Sequence, residues 1–245
     1  VSGDGAIVDH ADVRRMLLSM KSDVFAARAI ALSCAVATDM HTATQDTEWA
    51  ARAAFLTPIA KAFGSYTGIS VADTGIQVHG GMGYVEETGA AQFARDVRVT
   101  AIYEGTNGIQ AMDLVGRKLM DGGEMANRLL DEVEDFAEQA RTRLPDLAEA
   151  VWQASESLRE ATDWMVSQTD MNERFAGADP YLRAFAAVLG AHHHLVAALS
   201  ASGTSREALA RFYILRRLPE YVGLLPHAQA GASGLFAITA EDLMA

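Results

Sequence analysis

The chain has 245 residues, a mass of 26.2 kDa, and 32 acidic against 20 basic side chains, a formal net charge of −12. That length suffices for one large domain or two modest ones, and so acidic a surface excludes general nucleic-acid binding, which relies on neutralising phosphates. The single cysteine, Cys34, excludes an internal disulfide; it lies in an apolar helical run as a small buried hydrophobe, and a cytoplasmic setting is expected.

No signal peptide is visible, and no run of about eighteen uncharged apolar residues occurs, so no membrane span is expected. The chain opens on VSGDG rather than methionine, which suggests a piece of a longer protein or a tag remnant. After a polar lead over residues 1–8, Asp9 or Asp12 can cap a first helix. Val13, Met16, Leu17, Met20, Val24, Ala27 and Ala31 recur at spacings of three and four and carry that helix to about Met40. A second long helix is predicted from Thr47 to Val78. Pro58 removes one of its hydrogen bonds and marks a kink or break. Gly64 and Gly68 each weaken it by about 1 kcal/mol relative to alanine, which points to close contact with another helix or a ligand.

Gly80, Gly81 and Gly83 then break the chain. A short helix follows over Glu86–Arg95. The mixed run from Asp96 to Tyr103 has some strand character, but no partner strand appears elsewhere, so an irregular or helical connector is expected. Thr106 caps a fourth helix to about Leu119. MDGGE, residues 120–124, marks a domain boundary. Beyond it come helices over Met125–Arg143, Pro145–Val166 and Tyr181–Ala201. A further helix to about Arg217 starts at Thr204 and Glu207 with a capping-box pattern, and Pro219 and Pro226 interrupt the end. The fold class is all-α: about four helices in a bundle, then a second helical unit.

Glu104 is the first candidate for chemistry. It sits between Tyr103 and a Gly-Thr turn in mostly apolar sequence. Burial there would raise its pKa and make it a base for a proton next to a carbonyl. Gln77, Val78, His79, Gly80 and Gly81 read, by themselves, as a helix C-terminus with a glycine cap. No strand–helix unit follows, so a Rossmann-type dinucleotide fingerprint is excluded. His192, His193 and His194 point in different directions, about 100° apart on a helix, and cannot grip one ion. No metal site is expected, and His192 reads as a satisfied core histidine.

The run QVHGGMGY, the Arg95-Asp96 pair and IYEGTNGIQ resemble the acyl-CoA dehydrogenase family, flavoproteins that desaturate acyl-CoA thioesters. The resemblance is strongest from Val13 to Lys118. It implies that residues 1–120 form the family's C-terminal four-helix up-and-down bundle. Residues 121–245 resemble the extra helical domain of long members, including those acting on 3-(methylthio)propanoyl-CoA. The resemblance implies that Glu104 is the base for the α-proton while a hydride leaves the β-carbon for FAD. By the same resemblance Gln77, Val78, His79, Gly80 and Gly81 touch the ADP part of an FAD held by a neighbouring subunit, and Thr106 and Gly108 meet FAD at a helix start. His79 departs from a leucine-like residue, and Gly108 from a glutamine in several members. Arg95 and Asp96 match the family's RD pair, and their close charges suggest an intrasubunit ion pair; Tyr103 either shapes the acyl pocket or merely packs.

The implied partners are an acyl-CoA substrate, a second subunit in a homodimer or dimer of dimers, and electron-transfer flavoprotein. The family enzyme also needs an N-terminal helical domain, a β-domain and an Arg-x-x-Phe-Gly segment, none of which is found here. The 245 residues alone are therefore expected to bind FAD poorly and to be inactive. The competing reading is a non-catalytic helical interaction module. It predicts an exposed apolar patch and a solvent-exposed Glu104, whereas the enzymatic reading predicts Glu104 in a cleft.

Overall fold

The structure, a computed structural model, describes residues 5–245, so part of the predicted polar lead lies outside the described residues. All regular structure among these residues is helical. Helices α1 (Ala11–Thr44) and α2 (Thr47–His79) form a long hairpin. Short α3 (Gly81–Tyr84), α4 (Ala90–Arg98) and α5 (Asn107–Asp113) follow, α5 running into a π-turn over Leu114–Lys118. The second half comprises α6 (Glu124–Ala140), α7 (Pro145–Ser167), α8 (Met171–Ala176), α9 (Ala178–Ser200), α10 (Ser205–Arg216), α11 (Tyr221–Ala228) and α12 (Ser233–Phe236).

Local chemistry sets these boundaries. Asp46 caps α2 by accepting from the Glu48 N–H at 2.9 Å. Asp121 caps α6 through both carboxylate oxygens, accepting from the N–H groups of Gly123 at 2.8 Å and Met125 at 3.1 Å. Pro145 occupies the first turn of α7, where its missing N–H leaves nothing unpaired. At α1 the expectation of an aspartate cap fails: the cap position is His10, and Asp12 instead pairs with Arg15. Pro58 lies inside a continuous α2. Thr204 caps α10 as expected, but Glu207 reaches back to the Gly203 N–H rather than closing the box on Thr204.

One apolar core runs through both halves. Phe55 of α2 meets Phe185 of α9 edge-on at 5.1 Å between centroids, and Leu56, Leu114, Leu130, Leu158 and Tyr181 are all buried in the same cluster. Helix α9 is the central strut, packed on α1, α2, α5, α7 and α10. Polar links reinforce the seam: Tyr66 donates to Asp179 at 2.6 Å, and Arg217 grips both oxygens of Asp23 at 3.1 and 3.0 Å. Helices α1 and α9 are each long and apolar enough to cross a bilayer by length and composition, which qualifies the expectation of no span. For α9 that apolarity is accounted for by burial in the core, and α1 carries Lys21, Asp23 and Arg28 within it.

Close packing identifies which glycines are structural. A Cβ on Gly68 would stand 2.7 Å from Val97 Cγ2, the close helix contact expected there, whereas Gly64 has open space. A Cβ on Gly190 would collide with the Tyr213 hydroxyl and lie 2.9 Å from the Ala26 Cβ, while one on Gly75 meets nothing within 4 Å. Gly190→Ala is therefore expected to destabilise the chain by about 1–3 kcal/mol. Gly75→Ala, in the same helical context without the clash, is expected to stabilise it by up to ~1 kcal/mol. Urea unfolding of both variants checks the opposite signs.

Candidate functional site

The turn carrying Glu104 is irregular backbone held in place by side chains of α2 and α5. Glu104 has φ 53°, one of only two non-glycine residues in the left-handed region among the described residues, and Gly105 follows at φ 84°. A side chain in that region is disfavoured by about 1–2 kcal/mol, so the surroundings must hold it. They do so from both sides. The Lys61 ammonium, from the middle of α2, donates to the Gly105 carbonyl at 2.7 Å and to Asn107 Oδ1 at 3.0 Å. Gln110 Nε2 reaches the Glu104 carbonyl at 3.3 Å, and buried Asn107 donates to the Ala62 carbonyl at 3.4 Å. Thr106 caps α5 by accepting from the Ile109 N–H at 3.2 Å. Burial lowers the Lys61 pKa from the usual lysine value, opposed by the nearby Glu104 charge.

Sequence reasoning missed Lys61, Asn107 and Gln110. The available signal was that Lys61 is the lone charged residue between Arg52 and Asp73. An ammonium in so apolar a run, even half-buried, calls for a dedicated set of acceptors.

The expectation of a buried Glu104 is not met: its side chain is exposed. Nothing in this chain covers the turn, and Ile102, Tyr103 and Ile109 beside it are each more than half exposed. The carboxylate thus projects from an open, largely apolar face rather than from a cleft. Arg95 and Asp96 do not pair. Arg95 donates to Gln92 Oε1 at 2.7 Å and lies 3.5 Å from Glu86, while Asp96 accepts from Gln92 Nε2 at 2.6 Å.

The second candidate segment ends α2. Gly80 adopts φ 63° and ψ −147°, a conformation open only to glycine. A Cβ on Gly80 or Gly81 would meet nothing within 4 Å, so the main chain there is open to close approach. Gln77 and His79 are exposed and Val78 is half-buried. The His79 Nδ1–H donates to the Gly75 carbonyl at 2.7 Å, which turns Nε2 outward as an acceptor. A Cβ on Gly83 would collide with the Ile76 carbonyl oxygen, so only glycine lets the chain fold back at that point.

The candidate residues fall into two groups. Glu104, Thr106 and Gly108 share one turn, anchored at Lys61. Gln77 lies sixteen residues beyond Lys61 on the same unbroken helix, a rise of about 24 Å, and Val78, His79, Gly80 and Gly81 form the end of that helix and the break after it. One compact catalytic cluster cannot include both.

The histidine run differs from the expectation in detail. His194, not His192, is fully buried, and its Nε2–H donates to the Ser22 carbonyl at 3.1 Å. His192 packs edge-on against Phe136, and its Nδ1 is buried without a hydrogen-bond partner, so it is not a satisfied histidine. No group of three metal-ligating side chains occurs among the described residues. Cys34 is half-buried, and its thiol faces the Ala53 carbonyl at 3.7 Å.

Comparison with known proteins gives two family matches. Residues 2–120 match the model described as acyl-CoA dehydrogenase, C-terminal domain, and residues 129–239 match acetyl-CoA dehydrogenase C-terminal like. Among curated relatives, 3-methylmercaptopropionyl-CoA dehydrogenase of Ruegeria pomeroyi is 37% identical over 185 residues, covering 72% of this chain and 32% of that protein. A butyryl-CoA dehydrogenase of Syntrophomonas wolfei is 40% identical over 141 residues, covering 56% of this chain and 23% of that protein. The chain therefore spans a third or less of the length of these relatives. In fold it is similar to an acyl-CoA dehydrogenase complexed with FAD from Bacillus anthracis, with a TM-score of 0.73 and 17% identity over 100% of this chain and 45% of that one. It is also similar to Caenorhabditis elegans ACDH-11 in complex with C11-CoA, with a TM-score of 0.71 and 20% identity over 83% of this chain and 36% of that one.

Proposed function

The chain belongs to the acyl-CoA dehydrogenase family, and from that premise we propose that it is the C-terminal part of an FAD-dependent enzyme that introduces an α,β double bond into an acyl-CoA thioester. The observation that carries this reading is the left-handed backbone at Glu104, held by Lys61 on the Gly105 carbonyl and Gln110 on the Glu104 carbonyl, with the carboxylate itself free on an exposed face. Backbone strain held by dedicated contacts is characteristic of functional positions.

In this reading Glu104 takes the proton from the α-carbon of the thioester. Bound FAD supplies the acceptor for the hydride that leaves the β-carbon. The C–H electrons released at the α-carbon form the new double bond, so charge and atoms balance. A solvated glutamate is a weak base near neutrality. In this reading the covering of the Glu104 carboxylate falls to parts of the enzyme outside this chain, which spans about a third of its first relative. Lys61 holds the turn through its carbonyls and leaves the carboxylate free.

The residues present fit part of the cofactor. Thr106 and Gly108, at the start of α5, would meet FAD beside Glu104, and the open main chain at Gln77, Val78, His79, Gly80 and Gly81 would meet a second region of FAD. The two segments stand about 24 Å apart along α2, and in this reading the family resemblance, not that distance, assigns them to the FAD molecules of two subunits in a homodimer or dimer of dimers. Electrons then pass to electron-transfer flavoprotein. The substrate is an acyl-CoA, and the similarity to the Ruegeria protein favours a thioether acyl group such as 3-(methylthio)propanoyl.

With only one region of contact to each flavin, the purified 245-residue chain is expected to retain no stoichiometric FAD, whereas the full-length protein retains one per subunit. Released flavin, measured by absorbance after denaturation, checks this. Stoichiometric flavin on the short chain would contradict the proposed division of contacts.

A second reading has its own support. The exposure of Glu104 among Ile102, Tyr103 and Ile109 also suits a helical interaction module that contacts another protein through this face. The full-length protein separates the two readings: a module gives no flavin reduction with any acyl-CoA.

A further inference from the structure

Helices α1 and α10 meet along a shallow groove of about 400 Å³ that includes no residue of the Glu104 turn or the α2 terminus. Its floor is apolar, built by Leu18 of α1 and by Leu209, Phe212 and Leu215 of α10; Leu215 is 46% exposed. Its charged lining is wholly basic. Lys21, Arg211 and Arg216 line it and no carboxylate does, in a chain whose net charge is −12. Arg211 is committed to Asp146 and Glu207, but Lys21 and Arg216 make no ion pair among the described residues. The basic edge continues along α1 through exposed Arg28, and Arg206 of α10 lies over the Phe25 ring at 4.6 Å.

We propose that this groove docks an acidic amphipathic helix of a partner protein. A groove between two packed helices accepts the side-chain ridge of a third. Leucine-like residues at i, i+3, i+4 and i+7 would fill the Leu18–Phe212–Leu215 floor. Carboxylates flanking that stripe would face Lys21 and Arg216, cations with no partner of their own, and the rest of the acidic surface would turn such a helix away from other sites. A membrane surface fits less well, because it is flat and has no ridge to seat between α1 and α10. Nucleic acid offers no matching apolar stripe.

The test uses the 245-residue chain and a fluorescein-labelled peptide of about eighteen residues with leucine at i, i+3, i+4 and i+7 and glutamate elsewhere, read by fluorescence anisotropy. A matched peptide with lysine in place of glutamate and vesicles of phosphatidylglycerol are run beside it. Two variants alter only exposed side chains, Leu215→Asp and the pair Lys21→Glu with Arg216→Glu, and circular dichroism confirms that they fold. Saturable binding of the acidic peptide is expected, weakened at least about tenfold in each variant and weakened further by salt. Absence of binding, equal affinity for the lysine peptide, or unchanged affinity in the charge-reversed variant would overturn the proposal. Vesicle binding that is stronger than peptide binding and lost in the same variants would assign the groove to a lipid surface instead and overturn it equally. Self-association lost in those variants would assign it to a second copy and do the same.

Discussion

Acidified from pH 7 toward pH 4, the chain is expected to lose stability through the three histidines of α9. Burial pushes His192, His193 and His194 each from the ordinary value near 6.5 down to about 4, with Arg52 adding to the effect at His192 and His193, and Arg206 at His194. Geometry explains why protonation is resisted. His194 stacks on Tyr213 at 4.4 Å, uses its Nε2–H on the Ser22 carbonyl, and has no acceptor for a second proton at Nδ1. His192 lies edge-on to Phe136, its Nδ1 equally unpartnered, and His193 packs edge-on against His192 at 5.3 Å and has the Ser33 hydroxyl at 3.3 Å.

Because the folded values lie below the unfolded one, the unfolded state binds more protons. Stability is fully present above about pH 6.5 and falls as the pH drops through 4. For His194 alone the difference is on the order of 3 kcal/mol, a large share of the ~5–15 kcal/mol that holds a domain together. Asp23 acts in the opposite direction: burial raises its carboxyl more than Arg217 lowers it, so its protonation partly offsets the loss. Thermal melts between pH 7 and pH 4.5 check the prediction. His192→Phe, which keeps the edge-on packing and removes one titrating ring, is expected to flatten the profile. A melting temperature independent of pH in this window would show that the histidines are not held neutral.

In the full-length protein, Glu104→Gln is expected to lower kcat by about 10²–10⁴-fold, the range for loss of a general base, while KM changes little. Glutamine keeps the side chain's size and the backbone hydrogen bonds from Lys61 and Gln110, so the turn persists. Glu104→Gly should be equally inactive yet no less stable, because glycine occupies φ 53° without strain. Inactivity without destabilisation separates a strained functional residue from one that merely completes the fold. Equal loss of stability in both variants would make the turn structural.

The fold was legible where sequence and packing follow one rule. The spacing of apolar residues located α1, α2, α6, α7 and α9, and the cap residues Thr106 and Pro145 marked helix starts correctly. The run from Asp96 to Tyr103 resolved as the end of α4 and a 3-10 turn, with no strand among the described residues to pair with it. Less legible was whatever depends on contacts between distant segments. The MDGGE break gave no hint that the core would run past it through Phe55 and Phe185, or that Arg217 would pair with Asp23. At the site, the apolar neighbours of Glu104 in sequence implied burial. Ile102, Tyr103 and Ile109 instead face outward with it, because adjacent residues in a turn share a face rather than enclose one another. Lys61 went unnoticed because its partners, the Gly105 carbonyl and the Asn107 side chain, lie 44 and 46 residues away in sequence.

Anaerobic mixing of the full-length flavoprotein with saturating acyl-CoA isolates the proposed role of Glu104 from every later step. Wild type is expected to bleach the visible flavin absorbance in a single fast phase. Glu104→Gln, with the same flavin content and thioester affinity, should bleach at least a hundredfold more slowly, within the range for a lost general base. Bleaching at the wild-type rate in that variant would contradict the assignment of Glu104 as the group that removes the proton.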